Sequence, residues 1–188
     1  LIDLKWKQQK PKPVRIVLMC DVSGSMNVYG QFLLLLMYVM QNVYRYCETM
    51  AFSTRLTHIS HILKKEETFD GVLRYLSQEI LDWSGGTNIG GALHELRYRY
   101  SPMLRSGNTI FLLFSDGWER GDAALLANEM KQFRQLTKKL IWLNPHLGSP
   151  NYQPLCKGMA AALPYLDHFL PCHNFTSLKH LGNLISRL

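Results

Sequence analysis

The apolar positions alternate between two rhythms along the chain. From Arg15 to Cys20 nearly every residue is apolar and β-prone, as in a strand covered on both faces. The period then turns helical: Phe32, Leu35, Leu36, Val39, Met40 and Val43 recur at three- and four-residue steps and predict a helix from about Val28 to Tyr46. Thr49 to Ser53 and Thr57 to Leu63 read as two short strands joined at Thr54-Arg55-Leu56, most simply as a hairpin, and a helix from about Phe69 to Ile80 follows. After a turn-rich loop, Asp82 to Asn88, a helix is expected from Ile89 to Tyr100, with Ile89, Leu93, Leu96 and Tyr100 on one side.

Strand and helix then repeat. Thr109 to Phe114 is a strand ending at Ser115-Asp116-Gly117, and Asp122 is the expected N-cap of a helix bearing Leu126, Met130, Phe133 and Leu136. Lys139 to Leu143 is a strand stopped at Asn144-Pro145. Leu155 to Leu163 fits a short helix, Asp167 to Leu170 a last strand, and Leu178, Leu181, Ile185 and Leu188 a terminal helix. Such alternation predicts an α/β fold of the Rossmann-like, doubly wound kind: a mostly parallel six-stranded sheet with one antiparallel edge strand and helices on both faces. Functional residues in such folds lie beyond the carboxyl ends of the strands.

At 188 residues the chain suits one domain, and no Pro/Gly/Ser-rich tract or repeat divides it. We expect a basic N-terminal extension over residues 1–13, carrying Lys5, Lys7, Lys10 and Lys12, and a single domain over 14–188. The longest apolar run, Phe32 to Met40, is about half of the ~20 residues that a spanning helix needs. The first residues lack an apolar signal core and a start Met, so the chain reads as part of a longer polypeptide with a cytoplasmic location. Cys20, Cys47, Cys156 and Cys172 are widely spaced without a C-x-x-C pair, and reduced, mostly buried thiols are expected. His58, His61, His168 and His173 have no ligand spacing. The net charge of +7 leaves room for an acidic partner or nucleic acid.

Oxygen-bearing side chains concentrate in three loops that follow, or lie beside, strand ends. Asp21, Ser23 and Ser25 come after the first strand, Thr87 sits in the Gly-Gly-Thr loop, and Asp116 follows a central strand. Small hydroxyls at alternate positions on a chain leaving a strand can turn toward one point, and Gly24 permits the bend. Two carboxylates cancel a divalent charge while hydroxyls and waters fill the remaining positions, so the set is electrically balanced and coordinatively incomplete. Helix capping by Ser23 or Ser25 is the competing explanation. Trp83 and Trp118 flank the same loops and, with Glu119, are candidate partner contacts; packing beneath a loop is the alternative. The Arg120-Gly121-Asp122 tripeptide is explained by the capping role of Asp122.

These residues resemble the von Willebrand factor type A (VWA) domain and its metal-ion-dependent adhesion site, whose pattern is D-x-S-x-S, then a Thr, then an Asp. The resemblance implies coordination by Ser23 and Ser25, with Asp21, Thr87 and Asp116 binding directly or through water, and an acidic side chain of a partner completing the shell. Mg2+ is the implied ion, with Mn2+ or Ca2+ as alternatives. Within that fold the stretches Cys20 to Met26, Ala51 to Thr57, Asp82 to Gly90, Phe114 to Trp118, Leu143-Asn144-Pro145, Ala162 to Tyr165 and Phe169-Leu170-Pro171 are similar to the CoxE-like branch over nearly the whole chain. CoxE-like proteins usually carry a further helical region at the N-terminus that is missing here. The resemblance implies a non-catalytic adaptor that works with a MoxR-type AAA+ ATPase in maturing a metalloenzyme such as carbon monoxide dehydrogenase.

Two other readings compete. A metal-dependent phosphohydrolase would use Asp21 as nucleophile, but such chemistry wants an Asp two residues later as acid and base, where Ser23 stands. No G-x-x-x-x-G-K-[ST] loop is present, though Gly85-Gly86-Thr87 could cradle an anion at the start of the following helix. Nucleic-acid binding through a basic face is supported by no aromatic-basic interleaving beyond Arg97-Tyr98-Arg99-Tyr100.

Overall fold

Strand β1 (Arg15–Asp21) lies between β2 (Cys47–Phe52) and β4 (Thr109–Phe114) and is parallel to both. The computed structural model describes residues 13–66, 68, 70–72, 86–104 and 107–188. Its six-stranded sheet has the order β3-β2-β1-β4-β5-β6, with β3 (Leu56–His58), β5 (Lys139–Asn144) and β6 (His168–Pro171). Only the edge pair β2–β3 is antiparallel, as expected of the hairpin. The chain lays strands outward from β1 in one direction, then returns to lay β4, β5 and β6 in the other. The reversal makes the carboxyl ends of β1 and β4 the switch point of the sheet, where open α/β folds form a crevice.

The period of two in the strands sorts their side chains between two cores. Ile16, Leu18 and Cys20 point with Ile110, Leu112 and Phe114 toward α1 (Gly30–Val43), α2 (Ser60–Lys65) and the terminal helix. Val17, Met19, Phe111 and Leu113 join Leu140 and Trp142 on the other face, against α3 (Ile89–Arg99), α4 (Ser101–Leu104), α5 (Ala123–Leu136) and α6 (Lys157–Ala162). Every residue of β4 is buried, which explains its unbroken apolar run. The terminal helix α7 (Phe175–Ile185) starts in a capping box between Asn174 and Ser177.

Three local expectations are corrected. The helix expected from Val28 to Tyr46 spans Gly30–Val43 and is preceded by a 3-10 segment, Gly24–Tyr29. Its end comes early because the Tyr46 carbonyl accepts a 2.8 Å hydrogen bond from Ile16 N and so already belongs to the sheet. The strand expected from Thr57 to Leu63 stops at His58, and α2 takes the remainder. Thr49 N donates to the Ser60 hydroxyl at 2.7 Å, which ends the pairing and lets Ile59, Ile62 and Leu63 pack in a helical spacing. The helix expected from Leu155 runs over Lys157–Ala162 and tightens into a 3-10 turn at Leu163–Tyr165. Of the helix expected over Phe69 to Ile80, residues 70–72 are helical and the others lie outside the described residues.

A buried ion pair joins α3 to α5. The Glu129 side chain is fully buried and receives hydrogen bonds from Arg97 Nε at 2.6 Å and Nη2 at 2.8 Å, with His94 Nδ1 at 2.8 Å. Burial pushes its carboxyl up, but the hydrogen bonds and charges of Arg97 and His94 outweigh that and hold it below the ordinary glutamate range. A depressed carboxyl contributes stability above its unfolded pKa, and that contribution is lost as pH falls through the folded value. Arg97→Ala is therefore expected to cost about 3 kcal/mol near neutral pH, because it strands a buried carboxylate. In urea titrations the deficit should shrink as pH falls below the ordinary glutamate range, as Glu129 takes up a proton.

Candidate metal centre

Three loops meet at the switch point, each leaving the carboxyl end of a strand or tied to one. The first bends immediately after Asp21. Asp21 Oδ1 accepts from Ser23 N at 2.9 Å, and Met26, 1% exposed, anchors the 3-10 turn in the core. Ser23 occupies the N-cap position of that turn without making a side-chain cap. Its hydroxyl instead lies 3.2 Å from that of Ser25, so the capping explanation is not realised.

Asp116 leaves β4 beside this turn. Ser115 Oγ donates to Asp21 Oδ2 at 2.6 Å and accepts from Gly117 N at 3.0 Å, locking the first loop to the second. Asp116 Oδ1 accepts from Trp118 N at 2.9 Å. Below them, Trp142 Nε1 donates to the Ser115 carbonyl at 2.8 Å, and Asn144 Nδ2, at the end of β5, to the Asp116 carbonyl at 3.1 Å. The third loop carries Thr87. Asn88 N donates to the Ser53 carbonyl after β2, and Arg120 N donates to the Thr87 carbonyl at 2.9 Å.

Ser23, Ser25 and Thr87 line one recess of ≈ 180 Å³, together with Gly24, Gly86, Trp118 and Arg120. Asp21 and Asp116 are 0% and 2% exposed, and among the described residues no Lys, Arg or His is within ion-pair distance of either. Burial first, then the neighbouring charge of Asp116, raises the Asp21 carboxyl to about 6, against the opposing hydrogen bonds of Ser115 and Ser23. Two buried carboxylates without a basic partner, next to three hydroxyls, are a donor set that suits a hard divalent cation. No group of three or more His, Cys, Asp or Glu that could hold a metal occurs among the described residues, so a softer, nitrogen- or sulfur-rich site has no support there.

The flanking residues divide. Trp118 is 65% exposed at the rim of the recess. Trp83 lies outside the described residues. Glu119, expected among the partner contacts, is instead 4% exposed, because its carboxylate turns inward to accept from Gly90 N at 2.9 Å and from Gly121 N. It braces the Asp116 loop against the first turn of α3. Asp122 caps α5 through Ala124 N, as expected. Sequence reasoning gave no role to Ser115, Asn144 or Trp142, which position the carboxylates and their loop. The one sequence signal of Ser115 and Asn144 is that each sits at or next to the end of a strand, whereas Trp142 lies inside β5 and reads as core.

The chain matches the family described as VWA domain containing CoxE-like protein over residues 1–178, and it belongs to that family. No curated protein matches it. Among solved structures it is similar to an aerotolerance-related membrane protein from Bacteroides fragilis carrying multiple mutations to serines. That pair shares 13% identity and a TM-score of 0.60, over 94% of this chain and 100% of the other. Proximal thread matrix protein 1 from the mussel byssus, solved with a zinc-occupied MIDAS motif, shares 16% identity and a TM-score of 0.55, over 92% of this chain and 46% of its own. Manganese-loaded TRAP protein from Plasmodium vivax shares 16% identity and a TM-score of 0.51, over 81% of this chain and 73% of its own. At these identities the likeness is one of fold, and the fold is that of the VWA domain. No helix among the described residues is long and apolar enough to cross a membrane.

Proposed function

We propose that this protein is a metal-ion-dependent adaptor, in which Asp21, Ser23, Ser25, Thr87 and Asp116 hold a divalent cation that receives an acidic side chain of a protein partner. The observation that carries the reading is the grouping of three hydroxyls around one recess beside two buried carboxylates that have no basic partner among the described residues. Both Asp21 oxygens already accept hydrogen bonds, which suits a carboxylate that reaches the ion through water. A shell in which hydroxyls outnumber carboxylates leaves the ion electrophilic toward an incoming carboxylate. Mg2+ is the ion we favour on its hard-oxygen chemistry. The zinc-occupied and manganese-loaded states of two fold neighbours support divalent binding as such.

The CoxE-like membership supports the finer part of the reading. The partner is a MoxR-type AAA+ ATPase, and the joint task is maturation of a client metalloenzyme related to carbon monoxide dehydrogenase. The module itself carries out no catalysis in this scheme: two residues after Asp21, where phosphoryl transfer wants a carboxylic acid, stands a serine hydroxyl. Trp118 supplies a rigid apolar anchor beside the ion. The setting is the cytoplasm, which suits four free cysteines, three of them buried. The test is co-purification of the full-length protein with a MoxR-type ATPase of the same organism in Mg2+ and in chelator. The complex is expected in Mg2+ and should dissociate on chelation; association indifferent to chelator would overturn the reading.

A further inference from the structure

The recess beside the candidate metal centre holds one residue whose charge is wrong for a cation site. Arg120 lines it together with Ser23, Ser25, Thr87 and Trp118. Its side chain crosses directly over Gly86, where an added Cβ would lie 2.9 Å from Arg120 Cδ, 3.4 Å from Nη1 and 3.5 Å from Nε. The missing side chain at Gly86 thus gives the arginine a seat at the mouth of the recess. Its backbone is fixed there as well, by Arg120 N donating to the Thr87 carbonyl and by the inward-turned Glu119 next to it.

Among the described residues, no Asp or Glu forms an ion pair with Arg120. The two nearest acidic neighbours in sequence are otherwise engaged: Glu119 on backbone amides and Asp122 as a helix cap. A guanidinium held beside a divalent cation opposes the cation's binding by simple Coulomb repulsion. The same placement favours an anion that touches both, since guanidinium is a planar fork matched to carboxylate oxygens.

Resting on the adaptor reading above, we propose that Arg120 is a specificity-determining residue: it grips the second oxygen of the partner carboxylate that binds the metal, while Trp118 covers the apolar residue next to it. The partner segment is then an Asp or Glu flanked by an apolar side chain. Recognition is shared between metal and arginine, so removing Arg120 should weaken the carboxylate without weakening the ion.

The probe is a capped Leu-Glu-Leu peptide and its Leu-Gln-Leu counterpart, titrated in Mg2+ into the whole protein and followed by amide chemical shifts. Mn2+ affinity is measured separately by electron paramagnetic resonance. Arg120→Ala is expected to weaken the Glu peptide by about tenfold or more, to leave Mn2+ affinity equal or tighter, and to narrow the preference for Glu over Gln. Arg120→Lys should recover part of the affinity, since it restores charge without the fork. Equal binding of the Glu peptide by wild type and Arg120→Ala would overturn the role of Arg120 while leaving the adaptor reading standing. Loss of Mn2+ binding in Arg120→Ala would also overturn it, by making the residue a support of the metal loops. Failure of the Mg2+-loaded wild type to prefer Glu over Gln would overturn both.

Discussion

Asp21→Asn should abolish stabilisation by divalent cations while leaving the metal-free protein at least as stable as wild type. Asp21 is fully buried, and Asp116 adds a second negative charge close enough to raise its carboxyl. Without a cation, both the burial and the repulsion oppose folding. The amide removes that charge and can still accept a hydrogen bond from Ser23 N or from Ser115 Oγ, so packing is preserved. With a cation the balance reverses. Wild type should gain about 2.7 kcal/mol when Mn2+ is present at 100 times its dissociation constant. The variant should bind about 100-fold more weakly, the upper end of the cost when a group that orients a metal's ligands is lost. Melting curves with and without Mn2+ check both halves. A metal-induced shift of equal size in the two proteins would show that Asp21 takes no part in holding the ion.

The opposite signs of these two effects reflect why the site was legible in the sequence at all. Asp21, Ser23 and Ser25 sit where an apolar run ends, and only solvent, a cap or a ligand can use oxygen atoms there. β1 and β4 were equally plain, since residues buried on both faces leave no polar position to blur the run. The segment after β2 was not plain. Ile59, Ile62 and Leu63 follow Thr57 in an order that suits either period over so few residues, and the choice is made by the Ser60 hydroxyl capturing Thr49 N across the hairpin. Glu119 was misplaced for a related reason. Beside an exposed Trp118 it reads as surface, yet its acceptor role depends on Gly90, which only the tertiary fold brings near. Supports such as Ser115 and Asn144 escape notice because a single Ser or Asn at a strand end has many ordinary uses in turns.

The loop that carries Asp116 depends on a close approach that a single methyl group should spoil. Gly158, in the first turn of α6, packs against this loop so tightly that an added Cβ would collide with the Gly117 carbonyl oxygen and come within 2.9 Å of Glu119 Cβ. The same carbonyl accepts a hydrogen bond from Cys156 Sγ at 3.2 Å. Gly117 itself holds φ +84°, and a side chain there would strike Met159 of the same helix. Backbone meets backbone at Gly158, so neither partner can yield by changing rotamer. Gly158→Ala is therefore expected to destabilise the fold by about 2 kcal/mol, within the usual range for overpacking a tight contact. Displacing the loop also moves Asp116, and Mn2+ affinity should fall about tenfold, as when a supporting group is lost at a metal site. Gly182→Ala provides the contrast: it lies within α7 with nothing near its missing Cβ, and should stabilise by about 0.5–1 kcal/mol through helix propensity alone. Urea unfolding and Mn2+ titration of the two variants separate a general cost of adding a methyl group from one specific to the α6 contact. If Gly158→Ala were neutral in both, α6 would have no part in holding the metal loop.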